Sequence, residues 1–195
     1  MTGIRASLMQ RDVIPFYLSL AALAGGALAL DAGLHLANAV WIGRYLGIPG
    51  VLLILASSGY SMRKRKLISS GKPADLLHWH ERLAWAGSLL ILVHAGIHFN
   101  AILAWLAVGA MLINIASGLT GKYLLGRSRQ RLEATRTRLR ARGLSPEQLE
   151  ERTYWDSLTF DVVKSWRVVH LPITLAFSVL ALAHIIAIFL FWGWQ

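Results

Sequence analysis

Five stretches read as runs of about 20 predominantly apolar residues. They lie at about Val13–Leu30 ("VIPFYLSLAALAGGALAL"), Tyr45–Met62, Leu76–Phe99, Ala101–Leu125 and Val168–Trp192. A helix rising 1.5 Å per residue needs about that length to cross a hydrocarbon core of about 30 Å, so each run predicts a membrane-spanning helix. Composition agrees, since 55% of the 195 residues are hydrophobic and only 15% are charged. The predicted fold is all-α, a polytopic membrane helix bundle of about five spans forming one domain over residues 1–195, with a very tight connection around Asn100. The first run imitates a secretory signal, with Arg5 and Arg11 ahead of it and A-x-A at Ala27–Ala29. Because the sequence begins at Met1, that run is expected to be retained.

Charge orients the spans. Two basic residues precede the first run, six lie from Arg63 to Arg82 and eleven from Lys122 to Arg167, leaving Arg44 alone on the opposite side. The positive-inside rule makes the majority side cytoplasmic, so the net charge of +10 reflects topology and not nucleic-acid binding. A multi-pass protein of a bacterial-type inner membrane is expected, with its N-terminus cytoplasmic and its C-terminus periplasmic. Spans three and five then point the same way. No cysteine is present, which excludes disulfides, iron-sulfur clusters, zinc-thiolate sites and c-type haem attachment.

Four of the seven histidines fall in "HWHERLAWAGSLLILVHAGIH", residues 78–98. His80 and His94 are 14 residues apart, as are His170 and His184 on span five. Fourteen positions return a helix to within about 40° of the same face and advance it about 21 Å, so each helix shows two imidazoles on one stripe. On parallel helices His80 matches the depth of His170, and His94 that of His184. A haem iron accepts two axial ligands, which predicts two b-type haems stacked across the bilayer, with His80, His94, His170 and His184 as iron ligands. Zinc is disfavoured, because the two levels are about 21 Å apart and no carboxylate accompanies either pair. His78 is turned about 160° from His94 and is expected at the cytoplasmic interface, while His35 is expected to be exposed or at the outer edge of a haem. His98 shares the face of His80 but lies about 27 Å along the helix; one turn beyond His94, it is read as a contact for an outer propionate.

"GRYLGIPGVLLILASSGYSMRKRK" (43–66), "HWHERLAWAGSLLILVHAGIH" (78–98) and "WRVVHLPITLAFSVLALAHIIAIF" (166–189) resemble the ferric-reductase-like transmembrane domain. That domain is shared by ferric reductases, NADPH oxidases and the haem subunit of bacterial methionine-sulfoxide repair. The resemblance covers about two thirds of the chain. It implies two haems between the third and fifth helices on paired H-x13-H motifs, which map onto His80, His94, His170 and His184. The cytochrome b of quinol-oxidising complexes uses the same spacing. Unlike the larger reductases, the sequence stops at Gln195 with no G-x-G-x-x-G or comparable phosphate loop, so electrons are expected from another molecule, without a flavin domain in this chain.

Residues 126–160 predict a cytoplasmic amphipathic helical hairpin. "RSRQRLEATRTRLRAR" is rich in helix formers and basic residues, Gly143 is a C-terminal stop, and "SPEQ" at 145–148 is a capping-box start. Its two readings are a docking surface for a redox partner and a basic helix on anionic lipids. Arg82 and Arg167, near His80 and His170, are read as propionate partners or as snorkelling side chains, and Arg44 likewise outside. Gly87 and Gly96 admit a macrocycle or a neighbouring helix. Trp79, Trp166, Trp192 and Trp194 suit an interfacial belt, and Pro172 is expected to bend span five.

The expected function is transmembrane electron transfer as a subunit of a larger redox complex, with redox partner proteins on one or both faces and no catalytic site of its own. The first alternative is a cytochrome b subunit with its own quinone site, for which Asp31, Glu81 and Asp161 are the acidic residues near span ends. The second is a non-redox scaffold or proton-relay transporter.

Overall fold

The computed structural model describes residues 14–97 and 102–191. Every secondary-structure element among the described residues is a helix, with no strand. In chain order the helices are α1 (Ile14–Leu36), α2 (Val40–Tyr45), α3 (Gly47–Ser57), α4 (Gly59–Lys64), α5 (Pro73–Ile97) and α6 (Ile102–Thr120). A π-helical turn at Gly121–Leu125 leads into α7 (Gly126–Ala141), and α8 (Pro146–Phe191) completes the described chain. The tight connection expected around Asn100 lies outside the described residues.

Four helical stretches are long and apolar enough to cross a membrane: Ile14–Leu36, Val40–Lys64, Ile102–Leu124 and Val168–Phe191. Their apolar side chains are largely uncovered by protein. Leu175, Val179, Leu182, Ile186 and Phe189 of the last stretch are all exposed, and an apolar surface of that extent needs lipid or a partner. The chain is therefore a multi-pass membrane protein. The third expected span coincides with α5, whose 25 residues suffice in length. It stands apart from those four because Glu81, Arg82 and its histidines dilute its apolar content.

The second span is broken where the sequence predicts an unbroken run. Pro49 has no N–H to offer the carbonyl four residues back, and the chain tightens at Leu46, whose N–H bonds to Gly43 O at 3.2 Å. A second tight turn forms at Ser58, where N–H bonds to Leu55 O at 3.0 Å and the hydroxyl bonds to the same carbonyl at 2.6 Å. Both linking residues keep right-handed helical dihedrals, so the three pieces continue one another.

The chain divides into two compact units. One holds the described residues up to Ser19 together with Leu112–Ser178; the other holds Leu20–Met111 and the described residues from Val179. In the second unit α1 runs alongside α5 in the same direction, as the approach of Gly26 to Leu89 and of Gly96 to Asp31 requires. The α2–α4 stretch runs antiparallel to α5, and its closest approach is Gly50 against Gly87. A Cβ on Gly87 would lie 2.7 Å from Gly50 O, and one on Gly50 would lie 3.1 Å from Gly87 O. Of the two readings of Gly87, helix packing is the one observed.

In the first unit α6 and α8 run antiparallel, with Thr174 Oγ1 3.0 Å from Asn114 Oδ1 and His170 Nδ1 3.2 Å from Ser117 Oγ. After α7, Gly143 adopts φ +76°, a left-handed conformation that stops the helix. Ser145 then forms the expected capping box: Gln148 N–H donates to Ser145 Oγ at 3.3 Å and Ser145 N–H to Gln148 Oε1 at 3.1 Å. The helix that starts there does not end before the fifth span. It continues through Pro172 to Phe191 as one element of 46 residues.

Candidate haem-ligand site

The two breaks in the second span sit opposite His80 and His94 of α5. His80 Nδ1 donates to Ser57 O at 2.9 Å, beside the turn at Ser58. His94 Nδ1 donates to Gly43 O at 3.4 Å, beside the turn at Leu46. Gly43, Gly50 and Ser57 are buried and recur every seven residues, as do His80, Gly87 and His94, so the antiparallel stretches meet every second turn. The small residues let the helices close, and the carbonyls beside the turns reach the imidazoles.

A backbone carbonyl only accepts, so each bond puts the proton on Nδ1 and the lone pair on Nε2. That is the second-shell arrangement that orients a metal-ligating histidine. Around His94 the fit is close: a Cβ on Gly47 would stand 2.9 Å from the ring's Cδ2 and 3.1 Å from Nε2. At the other level the Tyr60 ring lies 6.0 Å from that of His80, tilted 35°.

His184, in the same unit as His94, lies within electrostatic reach of it. His80 and His170 belong to different units, and each is described with its own neighbours. His170 Nδ1 lies 3.2 Å from the hydroxyl of Ser117, which is almost fully buried. A hydroxyl donates and accepts, so it holds the ring without choosing the tautomer. Thr174 Oγ1 donates to His170 O at 2.7 Å, and Gly118 leaves room beside the ring, with His170 Cε1 3.7 Å from where its Cβ would be.

The remaining candidates separate from this set. His78 is exposed and turned back on its own helix, with Nδ1 bonded to Ala74 O at 2.9 Å, and His35 is exposed and bonded to Asp31 O at 2.9 Å. Arg82 is exposed. His98 and the side chain of Arg167 lie outside the described residues. Gly96 faces the Asp31 carboxyl, 3.6 Å from where its Cβ would be. Among the described residues no three His, Cys, Asp or Glu side chains gather as a metal-ion cage.

Gly43, Gly47, Ser57 and Ser117 escape a reading that looks only for chemically active side chains. The seven-residue recurrence of Gly43, Gly50 and Ser57 was the available signal for two of these neighbours, Gly43 and Ser57. Compared with protein-family models, curated proteins and solved structures, the chain gives no match, and the site stands on its own residues.

Proposed function

We propose that this chain is a membrane b-type cytochrome that carries electrons across the bilayer through two haems, with His80, His94, His170 and His184 as the iron ligands. The observation that carries the reading is the anchoring of His80 Nδ1 and His94 Nδ1 on backbone carbonyls, which aims two lone pairs from one stripe of α5. Ser117 holds the His170 ring in place through a buried hydroxyl. When bound, haem supplies one-electron exchange between ferric and ferrous iron. Held by two histidines each, the haems would be closed to oxygen and substrate, so the chain would pass electrons and leave catalysis to a partner. In this reading α5 also crosses the membrane, as the third of five spans, the N-terminus and the α7 region are cytoplasmic, and redox partner proteins meet one or both faces.

The test is a pyridine haemochrome count on the purified chain, with two b haems expected per chain. A colourless chain of native helicity would sink the proposal in favour of a scaffold or proton relay. Full haem content in His94→Ala would move the outer ligand elsewhere, with His98 the nearest alternative on that helix.

A second reading, a cytochrome b subunit with its own quinone site, is favoured by one observation. Asp31 Oδ1 is buried without a hydrogen-bond partner, 3.7 Å from His35 Nδ1. A buried carboxylate oxygen in that condition suits a hydroxyl-bearing ligand. Reduction of the haems by a quinol, lost in Asp31→Asn, is the outcome that distinguishes it.

A further inference from the structure

The second span ends in positive charge. Five basic residues lie from Arg63 to Lys72, and no acidic residue stands anywhere between Asp31 and Asp75. Lys64, Arg65, Lys66 and Lys72 are exposed, and none has an acidic partner among the described residues. Asp75 follows in the first turn of α5, where the helix dipole favours a carboxylate, and Glu81 is followed at once by Arg82. Five cations therefore face one nearby carboxylate at this loop.

Arg63 is spent on folding the loop. Its Nε donates to Gly71 O at 3.3 Å and its Nη1 to Ile68 O at 3.4 Å, which draws residues 65–72 back against the end of α4. The helix itself closes with Lys66 N–H on Arg63 O at 3.1 Å and Leu67 N–H on Met62 O at 3.0 Å, the paired bonds of a left-handed stop. The left-handed residue is Lys66, at φ +62°, in a place where glycine is usual. This turn leaves Leu67 68% exposed and Met62 40% exposed among the cations. Cationic heads beside uncovered apolar side chains suit the boundary between headgroups and acyl chains.

The loop also lies at that depth, because Lys64 is the last residue of the apolar stretch Val40–Lys64 and residues 65–72 follow it directly. Taking that stretch to cross the bilayer, we propose that Lys64, Arg65, Lys66 and Lys72 bind the phosphate of an anionic phospholipid headgroup, with Leu67 seated in the acyl boundary. Ammonium and guanidinium groups form charge-assisted hydrogen bonds to phosphate oxygens, and the membrane surface brings such phosphates to the end of a span. An acidic soluble protein offers carboxylates but no acyl layer to receive Leu67.

The test places the full chain in phosphatidylcholine bilayers with a trace of spin-labelled phosphatidylglycerol or spin-labelled phosphatidylcholine. The motionally restricted fraction should be about twofold larger for phosphatidylglycerol, and the difference should shrink in about 1 M salt. The triple variant Lys64→Gln, Arg65→Gln, Lys66→Gln leaves the Arg63 bonds in place and should lose at least half of that preference. Arg138→Gln, Arg140→Gln, Arg142→Gln removes equal charge from the α7 end and should keep it, with circular dichroism confirming native helicity in both. No preference in the parent, no loss in the first variant, or equal loss in the two would overturn the proposal. Fluorescent poly-L-glutamate bound by a parent without lipid preference, and released only in the first variant, would assign the loop to an acidic protein instead. Haem content reads out the proposed cytochrome function separately, since none of these substitutions touches a histidine.

Discussion

At the scale of single residues, an imidazole does its work through the atom that holds its other nitrogen. His80 and His94 are each set by a main-chain carbonyl, which no side-chain substitution can remove, whereas His170 relies on Ser117. Ser117→Ala should therefore weaken haem retention by about 10–100-fold, the usual effect of losing a second-shell partner. A haem titration of the apo-protein measures it, and unchanged affinity would remove Ser117 from the site. Gly47→Ala puts a methyl group 2.9 Å from His94 Cδ2 and should lower the haem count from two towards one. Gly33→Ala, which enters open space, should leave the count unchanged and serves as its control. His94→Ala and His184→Ala should each lose the outer haem alone, while His78→Ala keeps both, as read from reduced-minus-oxidised spectra. The histidines themselves were legible in the sequence because an ionisable side chain in an apolar run is conspicuous. Gly47 and Ser117 were not, because glycine and serine in such runs are commonplace and only their neighbours give them a role.

At the scale of the element, turns and caps follow local rules and packing does not. Gly143 and the Ser145–Gln148 capping box stand where the sequence places a stop and a start. Ser145→Ala should cost about 1 kcal/mol at that helix end, and Gly143→Ala about 1–2 kcal/mol because of its left-handed backbone. Faster hydrogen exchange confined to the amides around 143–150 would register both. The breaks at Leu46 and Ser58 were hidden inside a run that looked continuous, since apolar content does not reveal which carbonyls must turn outward. Pro49 was the local sign of the first. The crossing of Gly50 and Gly87 leaves no space for a side chain, so Gly87→Val should destabilise the protein by about 1–3 kcal/mol through overpacking. A lowered midpoint of thermal unfolding in detergent checks this, and an unchanged midpoint would mean that the helices part without cost.

At the scale of the whole molecule, basic residues predict which loops stay inside. Single cysteines introduced at Asn38 and Thr137 should react with an impermeant maleimide from opposite sides of the membrane, and labelling from one side would reverse the proposed topology. Long apolar runs, the one-sided placement of lysine and arginine, and the spacing of histidines on their stripes are properties of the chain in one dimension. The sequence by itself determined that the protein is helical, that it belongs in a membrane, and that its imidazoles repeat at two levels. Which backbone oxygen holds each ring, where a second span must break to present that oxygen, and how far α8 continues beyond its apolar stretch were decided only in the tertiary structure. The reason is physical: a carbonyl becomes an acceptor for a distant side chain only when two helices have already come close enough to bring them together.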